Sequence, residues 1–451
     1  MTIRSVALVF VVCVMWAGPS VAGMLPIQTV RSTGKVTAWL VEDHTVPVVS
    51  LTFSFRGAGA VNDPENKQGL SRMLSNTLDE GAGPLDSKAF QAALNDQSIS
   101  LSFSASRDDF GGKLKTLSQN REEAFYLLRL ALTKPRLEKE AIERMRDANL
   151  SRIKGDMTDP NWMAARLVND VVFQEHPYAL NSGGTLTTLK NITQTDLREK
   201  ATTQLTRDRL IVGVAGDITP DQLKIVLDKI FGDLPEKAIF LQIAEVTFPP
   251  QGSTVLYTKD IPQTVLEVVL PGIRMTDPDY FAATVMNHIF GGGGFGSRLT
   301  DVVREKNGLT YGISSDVSEM DYASLFTISS STRNETVQTL LDLTKNEMGR
   351  IKKELVTDQE LEDAKAYIIG SVPLSLTSTS QISETLLTLQ RYNLPADFLD
   401  RREQAVRAVS KADVARVAER LLIPEKSITV LVGQPKLSGK HRIVDHLSNV
   451  E

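Results

Sequence analysis

Arg304 and Tyr311 stand seven residues apart behind a run of glycines, in Gly291-Gly-Gly-Gly-Phe-Gly-Ser-Arg-Leu-Thr-Asp-Val-Val-Arg304-Glu-Lys-Asn-Gly-Leu-Thr-Tyr311-Gly312. A guanidinium offers five donors and a neutral phenol one, so the pair has the chemistry to hold carbonyl or anionic oxygens. By spacing alone, Arg304 is equally an ordinary helix-surface cation and Tyr311 an ordinary half-buried strand aromatic. Gly291, Gly293 and Gly296 fit the dinucleotide pattern G-x-G-x-x-G, which has force only after a strand. Here the run follows Tyr280 to Phe290, whose apolar spacing is helical, so nucleotide binding is set aside. The plain alternative is a flexible helix terminator using glycine's tolerance of left-handed backbone. The five histidines are His44, His176, His288, His441 and His446, and no two stand three or four residues apart, the spacing of a helical metal site. His44 reads as a turn residue, His176 as structural, His288 as core, and His441 and His446 as solvated.

A chain of 451 residues fits two domains. Arg4, the apolar run Ser5 to Trp16 and the small-residue end Ser20-Val21-Ala22 have the three regions of a signal peptide, 1–22, with cleavage expected after Ala22. The apolar run is too short to span a bilayer, and no later segment is apolar enough to do so. The single cysteine, Cys13, falls inside that run, so the mature chain forms no disulfide. An exported chain without cysteine points to a bacterial periplasm. The formal net charge of -5 argues against nucleic acid as a partner.

The chain is internally duplicated at an offset of roughly 214 to 219 residues. Each half opens on an alternating strand, Val48 to Phe55 and Val265 to Leu270, followed by Asp63-Pro64 or Asp277-Pro278 and a helix. Second strand regions, Ile99 to Ser106 and Leu325 to Ser331, are paired next. Capped helices near Thr195-Asp196 and Ala412-Asp413 lie 217 apart, as do Gly216 and Gly433. Strands separated by pairs of helices predict an α+β fold: two homologous domains, each a mostly antiparallel sheet with helices packed on one face. The expected boundaries are 27–245, a linker at 246–252, 253–435, and a polar tail at 436–451.

This duplicated plan resembles the M16 family of zinc peptidases, the inverzincins, over nearly the whole mature chain. The resemblance implies two M16-type domains forming half of a clamshell. Active members carry Gly-Leu-x-His-x-x-Glu-His, where two imidazoles on one helix face bind zinc and the Glu serves as general base. The matching segment here is Gly69-Leu70-Ser71-Arg72-Met73-Leu74-Ser75-Asn76. Arg72 and Asn76 stand at the histidine positions, Ser75 at the base, and Arg152 at about the place of the third ligand, a Glu. No metal is expected on this chain.

The Arg304/Tyr311 segment, in contrast, looks like the family's second-domain signature. The resemblance implies that Arg304 holds a substrate carbonyl and Tyr311 donates to the oxyanion at a zinc site. It further implies that Gly291, Gly292, Gly293, Gly294 and Gly296 form a shortened version of the glycine-rich loop with which a non-catalytic subunit binds substrate. In bacterial two-subunit members one chain is implied to supply the zinc motif and the other the Arg/Tyr pair. The expectation is therefore a non-catalytic, peptide-binding subunit, inactive alone, whose partner is a zinc-bearing subunit with His-x-x-Glu-His. Peptide is implied to add as a strand to that partner's sheet edge, the corresponding strand here being Ile99 to Arg107. The alternative is a pseudo-peptidase scaffold or peptide-binding protein with no proteolytic role.

Overall fold

The computed structural model describes residues 23–249 and 252–451. The expected signal peptide, 1–22, lies outside the described residues, as do Pro250 and Gln251 of the linker. Twelve strands form two six-stranded sheets. The first contains β1 (Gln28–Arg31), β2 (Thr37–Glu42), β3 (Val48–Phe55), β4 (Ser100–Ala105), β5 (Phe110–Leu117) and β6 (Leu210–Gly216), in the order β1-β2-β6-β3-β5-β4. The second contains β7 (Ser253–Thr258), β8 (Gln263–Pro271), β9 (Ile313–Met320), β10 (Ala323–Arg333), β11 (Ile428–Gly433) and β12 (Arg442–Val444), in the order β12-β7-β11-β8-β10-β9. Each is mostly antiparallel, as expected of the α+β plan; only β2 with β6, and β7 with β11 and β12, run parallel. From β2/β7 to the far edge the two orders match strand for strand.

This order corrects one pairing of the repeat. Leu325 to Ser331 lies in β10, second from the edge, whose counterpart is β5; Ile99 to Ser106 forms the edge strand β4, whose counterpart is β9. The strand β5 carries Gly111, Gly112, Lys113 and Lys115, so its apolar signal is weak. Its glycines are there for packing: a Cβ on Gly112 would stand 2.6 Å from the Phe53 ring. Gly216 and Gly433, in contrast, do share a role. Both have positive φ, 119° and 153°, and a Cβ would meet Val48 O at 2.1 Å in one and Thr264 Oγ1 at 2.4 Å in the other. The 217-residue helix pair begins at true capping boxes, Thr193 with Asp196 and Ser410 with Asp413.

Alternation in β3 sends Val49, Leu51, Phe53 and Phe55 into the core of the first half. Ser50, Thr52 and Ser54 face the other way, yet they are buried too. What covers them is the helix Thr379–Arg391, which belongs to the second half and lies across β2, β3 and β6. The Thr52 and Ser383 hydroxyls are 2.9 Å apart and those of Ser50 and Thr379 2.8 Å apart. A Cβ on Gly213 would come within 2.3 Å of Ser383 O, so the helix rides directly on the sheet backbone. The exchange is reciprocal. The helix Pro160–Phe173, from the first half, packs Leu167, Val168, Val171 and Val172 on β8 and β11 of the second sheet, against Val269, Ile428 and Val430.

The two hairpin turns meet at a buried charge cluster. Asp108 and Asp109 come from the β4–β5 turn, Asp321 from the β9–β10 turn, and Arg391 from the end of the exchanged helix. Arg391 Nη2 donates to Asp108 Oδ2 at 3.2 Å, and its Nε lies 2.8 Å from Asp109 Oδ2 without hydrogen-bond geometry. The Tyr178 hydroxyl donates to Asp108 and accepts from the Tyr322 N–H at 3.2 Å; the Asp321 N–H donates to Asp108 Oδ2, also at 3.2 Å. His176 packs edge-on against Tyr178 and tilted against Tyr322, and its Nε2 lies 3.0 Å from Ala244 O, which makes it a structural residue of this seam. Burial pushes the Asp109 carboxyl up to about 6, with Arg391 opposing.

The stretch 436–451, expected to be a polar tail, is ordered. Its residues 442–444 extend the second sheet as β12, and the chain then crosses back to the first half. There Asn449 O accepts from Asn181 Nδ2 at 3.1 Å, Asn449 Oδ1 accepts from Gln68 Nε2 at 2.9 Å, and Val450 is buried with its carbonyl on the Leu186 N–H. His441 and His446 themselves are exposed.

Two stability outcomes follow from the charge cluster. Replacing Arg391 with Met should lower unfolding free energy in urea by about 3 kcal/mol, because Asp108, Asp109 and Asp321 would lose the cation they share. A carboxyl raised in the folded state contributes stability that is present below its unfolded value near 4 and is lost as pH rises through about 6. Between pH 5 and 7.5 the wild-type chain should therefore lose on the order of 1 kcal/mol more than Asp109→Asn in the same titration.

Candidate functional site

Two surfaces bear on function, one in each half. In the first, Asp63 of the Asp-Pro turn sets the helix Leu70–Ser75: its carboxylate accepts from the Ser71 N–H at 3.0 Å and the Ser71 hydroxyl at 2.6 Å. Lys200 Nζ, also fully buried, pairs with Asp63 at 3.0 Å. Gly69 turns the chain into the helix at φ 87°, where a Cβ would strike Gly184 Cα at 2.7 Å.

The helix so placed presents Arg72 and Asn76 to the helix Lys139–Asp156. Asn149 Nδ2 donates to Asn76 Oδ1 at 3.0 Å, and Arg152 lies one turn further on. Arg152 pairs with Asp156 at 2.5 Å and donates to Gly183 O at 3.1 Å. Arg72 makes no side-chain hydrogen bond among the described residues, and its Nε and that of Arg152 are buried without a partner. Burial, and then the charge of Arg152, push the Arg72 guanidinium below its ordinary value, with Asp156 opposing. Ser75 spends its hydroxyl on Arg72 O at 2.9 Å.

The structure thus brings Arg72, Asn76 and Arg152 together, with Asn149 as a neighbour the sequence did not single out. Two guanidiniums stand where a divalent cation needs anionic or imidazole donors, and the one nearby carboxylate is engaged by Arg152. Zinc does not fit this set. Among the described residues no group of three or more His, Cys, Asp or Glu side chains could hold a metal ion. The exposed His44 bridges Glu42 (2.9 Å) and Asp217 (2.6 Å), and hydrogen bonding to Asp217 first and Glu42 second holds its pKa above the usual value. This is a turn-fixing pair of contacts.

The second surface follows the helix Tyr280–Asn287. Gly291 and Gly292 continue it as a wide π-type turn, and Gly294 to Gly296 form a short 3-10 turn. The glycines are not uniformly free. A Cβ on Gly291 would meet Ser315 Oγ at 2.5 Å, on Gly292 Asn287 Nδ2 at 2.6 Å, and on Gly293 His288 O at 2.6 Å. Of the run only Gly294 has positive φ, 61°, and a Cβ there or on Gly296 would meet nothing. The terminator reading therefore holds for the tip, while the root is glycine because of close packing. His288 departs from its expected core place: it is half-buried, with its ring stacked on Tyr367 at 4.8 Å.

Arg304 sits in a second wide turn, Thr300–Lys306. The chain then folds back on it, with the N–H groups of Asn307 and Gly308 on Arg304 O and that of Leu309 on Val303 O. Thr310 fixes the next step, donating to Ser331 O at 2.7 Å and accepting from the Gly312 N–H at 3.0 Å. Tyr311 is consequently 89% exposed. The Arg304 guanidinium makes no hydrogen bond among the described residues; it lies over the Phe295 ring at 4.5 Å and 3.7 Å from Glu305 Oε1. Thr310 and Phe295 are the residues that motif reading overlooked. Phe295, an apolar side chain inside a glycine run, was the available signal.

Residues 191–368 match the family description "Peptidase M16 inactive domain". The chain is 27% identical to the non-peptidase homolog YmxG of Helicobacter pylori, over 81% of this chain and 84% of that one. It is 22% identical to the beta subunit of the mitochondrial-processing peptidase of Saccharomyces cerevisiae, over 74% and 75%. The crystal structure of a peptidase M16 inactive domain from Pseudomonas fluorescens superposes with a TM-score of 0.86 at 26% identity, covering 92% of this chain and all of that one.

Elemental analysis of the purified chain should find far less than one zinc per molecule. The combined substitution Arg72→His, Ser75→Glu, Asn76→His and Arg152→Glu should raise that towards one, because it replaces both cations with donors on the same two helices.

Proposed function

The chain belongs to the M16 peptidase family as one of its inactive members, and we propose that it works as the substrate-binding subunit of a periplasmic zinc peptidase whose metal is carried by a second M16 chain. The observation that supports this reading is the contrast between the two halves. Arg72 and Arg152 occupy the metal positions, whereas Arg304 and Tyr311 are held at the surface with their donors unspent. Most arginines of this fold are engaged by carboxylates or carbonyls, as Arg391, Arg298 and Arg420 are. A guanidinium and a phenol that make no hydrogen bond among the described residues are placed to meet something external.

In the proposed assembly the Arg304 N–H groups donate to a peptide carbonyl oxygen and orient the chain across the partner's metal. The Tyr311 hydroxyl donates to the carbonyl oxygen of the bond being cleaved as negative charge develops there. The fold-back from Arg304 O to Gly308 and the Thr310 bonds keep the phenol's backbone in place, so little reorganisation is needed when that charge forms. The partner supplies metal and general base; this chain supplies neither and cleaves nothing alone. No helix of the described residues is long and apolar enough to cross a membrane.

A second reading, a peptide-holding protein with no proteolytic role, is favoured by the name "non-peptidase homolog" of the Helicobacter pylori relative. Reconstitution separates the two. Mixed with a His-x-x-Glu-His M16 chain of the same organism, the wild-type protein should restore peptide cleavage. Tyr311→Phe should lower kcat by about 100-fold, the usual effect of losing one oxyanion donor. Arg304→Ala should act mainly on KM. Unaltered turnover in both variants would exclude the assigned roles, and no cleavage with any such partner would leave the peptide-holding reading.

A further inference from the structure

We infer that Phe295 forms an apolar subsite that takes a large aliphatic or aromatic side chain of a bound peptide beside the carbonyl held by Arg304. The inference rests on the reading of Arg304 given above and adds the class of side chain recognised.

Phe295 is 76% exposed at the tip of the glycine turn. A benzyl side chain in water is unfavourable, and here it lies under the Arg304 guanidinium, centred 4.5 Å from the ring. The flanking geometry is that of a platform with room around it. Gly291, Gly292 and Gly293 are wedged against Ser315, Asn287 and His288, which anchors the root. Gly294 and Gly296, on either side of Phe295, have no heavy atom within 4 Å of where a Cβ would be. A ligand side chain can therefore approach the ring from both flanks.

The root of the turn is packed on a further pair of rings. The His288 ring edge lies 3.1 Å from where a Gly293 Cβ would stand and is stacked on Tyr367, which is 65% exposed. Burial holds the His288 pKa below its usual value, so the ring faces Tyr367 uncharged at neutral pH. Phe295 thus presents an exposed ring against a cation that makes no hydrogen bond among the described residues. This arrangement suits a peptide that offers a carbonyl oxygen to the guanidinium and an apolar side chain to the ring, whereas an acidic side chain would gain nothing from the ring.

The test uses fluorescein-labelled ten-residue peptides of Ala, Ser and Thr with one central position varied among Phe, Leu, Gly and Asp. Binding to the full chain is read by anisotropy. Wild-type protein should bind the Phe and Leu peptides about tenfold more tightly than the Gly and Asp peptides, the discrimination an apolar pocket typically achieves. Phe295→Ala should abolish that preference and Phe295→Leu should keep most of it, both variants melting as wild type does. No preference in wild-type protein, or a preference that survives Phe295→Ala, would overturn the subsite. So would light scattering showing that the ring instead holds a second copy, released by Phe295→Ala. If Tyr311→Phe and Arg304→Ala lower turnover in the reconstituted pair but Phe295→Ala does not raise KM selectively for the Phe peptide, only the subsite fails. If none of the three alters turnover, the functional reading fails with it.

Discussion

A sheet has two faces, and each half of this chain covers only one of its own with its own helices. The other face is closed by a helix borrowed from the opposite half: Thr379–Arg391 on the first sheet, Pro160–Phe173 on the second. Neither half can then bury its strands alone, and the two must fold as one body. The chemistry of the two contacts differs. The first is small and polar, with Ser50, Thr52 and Gly213 against Ser383, where hydroxyl pairs contribute about 1 kcal/mol each. The second is aliphatic, valines on valines, and draws on burial of apolar area.

The exchange also fixes where charge must be neutralised. Bringing helix Thr379–Arg391 across the first sheet delivers Arg391 to the point where the β4–β5 and β9–β10 turns meet, and there it faces Asp108, Asp109 and Asp321. Burial raises the Asp109 and Asp321 carboxyls, neighbouring carboxylates add to the rise, and Arg391 opposes it at both. The tyrosine hydroxyl of Tyr178 and two backbone N–H groups complete the satisfaction of Asp108 and its neighbours. The strand at 442–444 and the residues after it add a further tie between the halves, ending beside Gln68 and the helix that carries the altered motif.

Against this rigid frame the two halves have diverged in opposite directions. The first half pins the helix Leu70–Ser75 with Asp63 and Lys200 and sets Arg72 and Arg152 side by side, their Nε atoms unpaired inside the protein. The second half holds Arg304 over the exposed Phe295 ring and leaves Tyr311 at the surface.

Much of this was legible in the residues. The duplication showed because strand alternation, Asp-Pro turns, capping boxes and the paired glycines Gly216 and Gly433 are local patterns, written in spacing. The loss of metal chemistry was equally local, since Arg72, Ser75, Asn76 and Arg152 each lack the donor required. What escaped was non-local. The cover over Ser50, Thr52 and Ser54 left no periodic mark, because it comes from a helix more than 300 residues away; the hairpin partner β5 was hidden by its glycines, and the last residues looked polar and free although Val450 is buried. The sequence alone determined which side chains are present and how each element begins and ends, for those depend on neighbours along the chain. Only the tertiary structure decided which face each sheet lends to the other half, that Arg391 answers three aspartates, and that Phe295 stands beneath Arg304, because those depend on contacts between segments whose separation carries no signal.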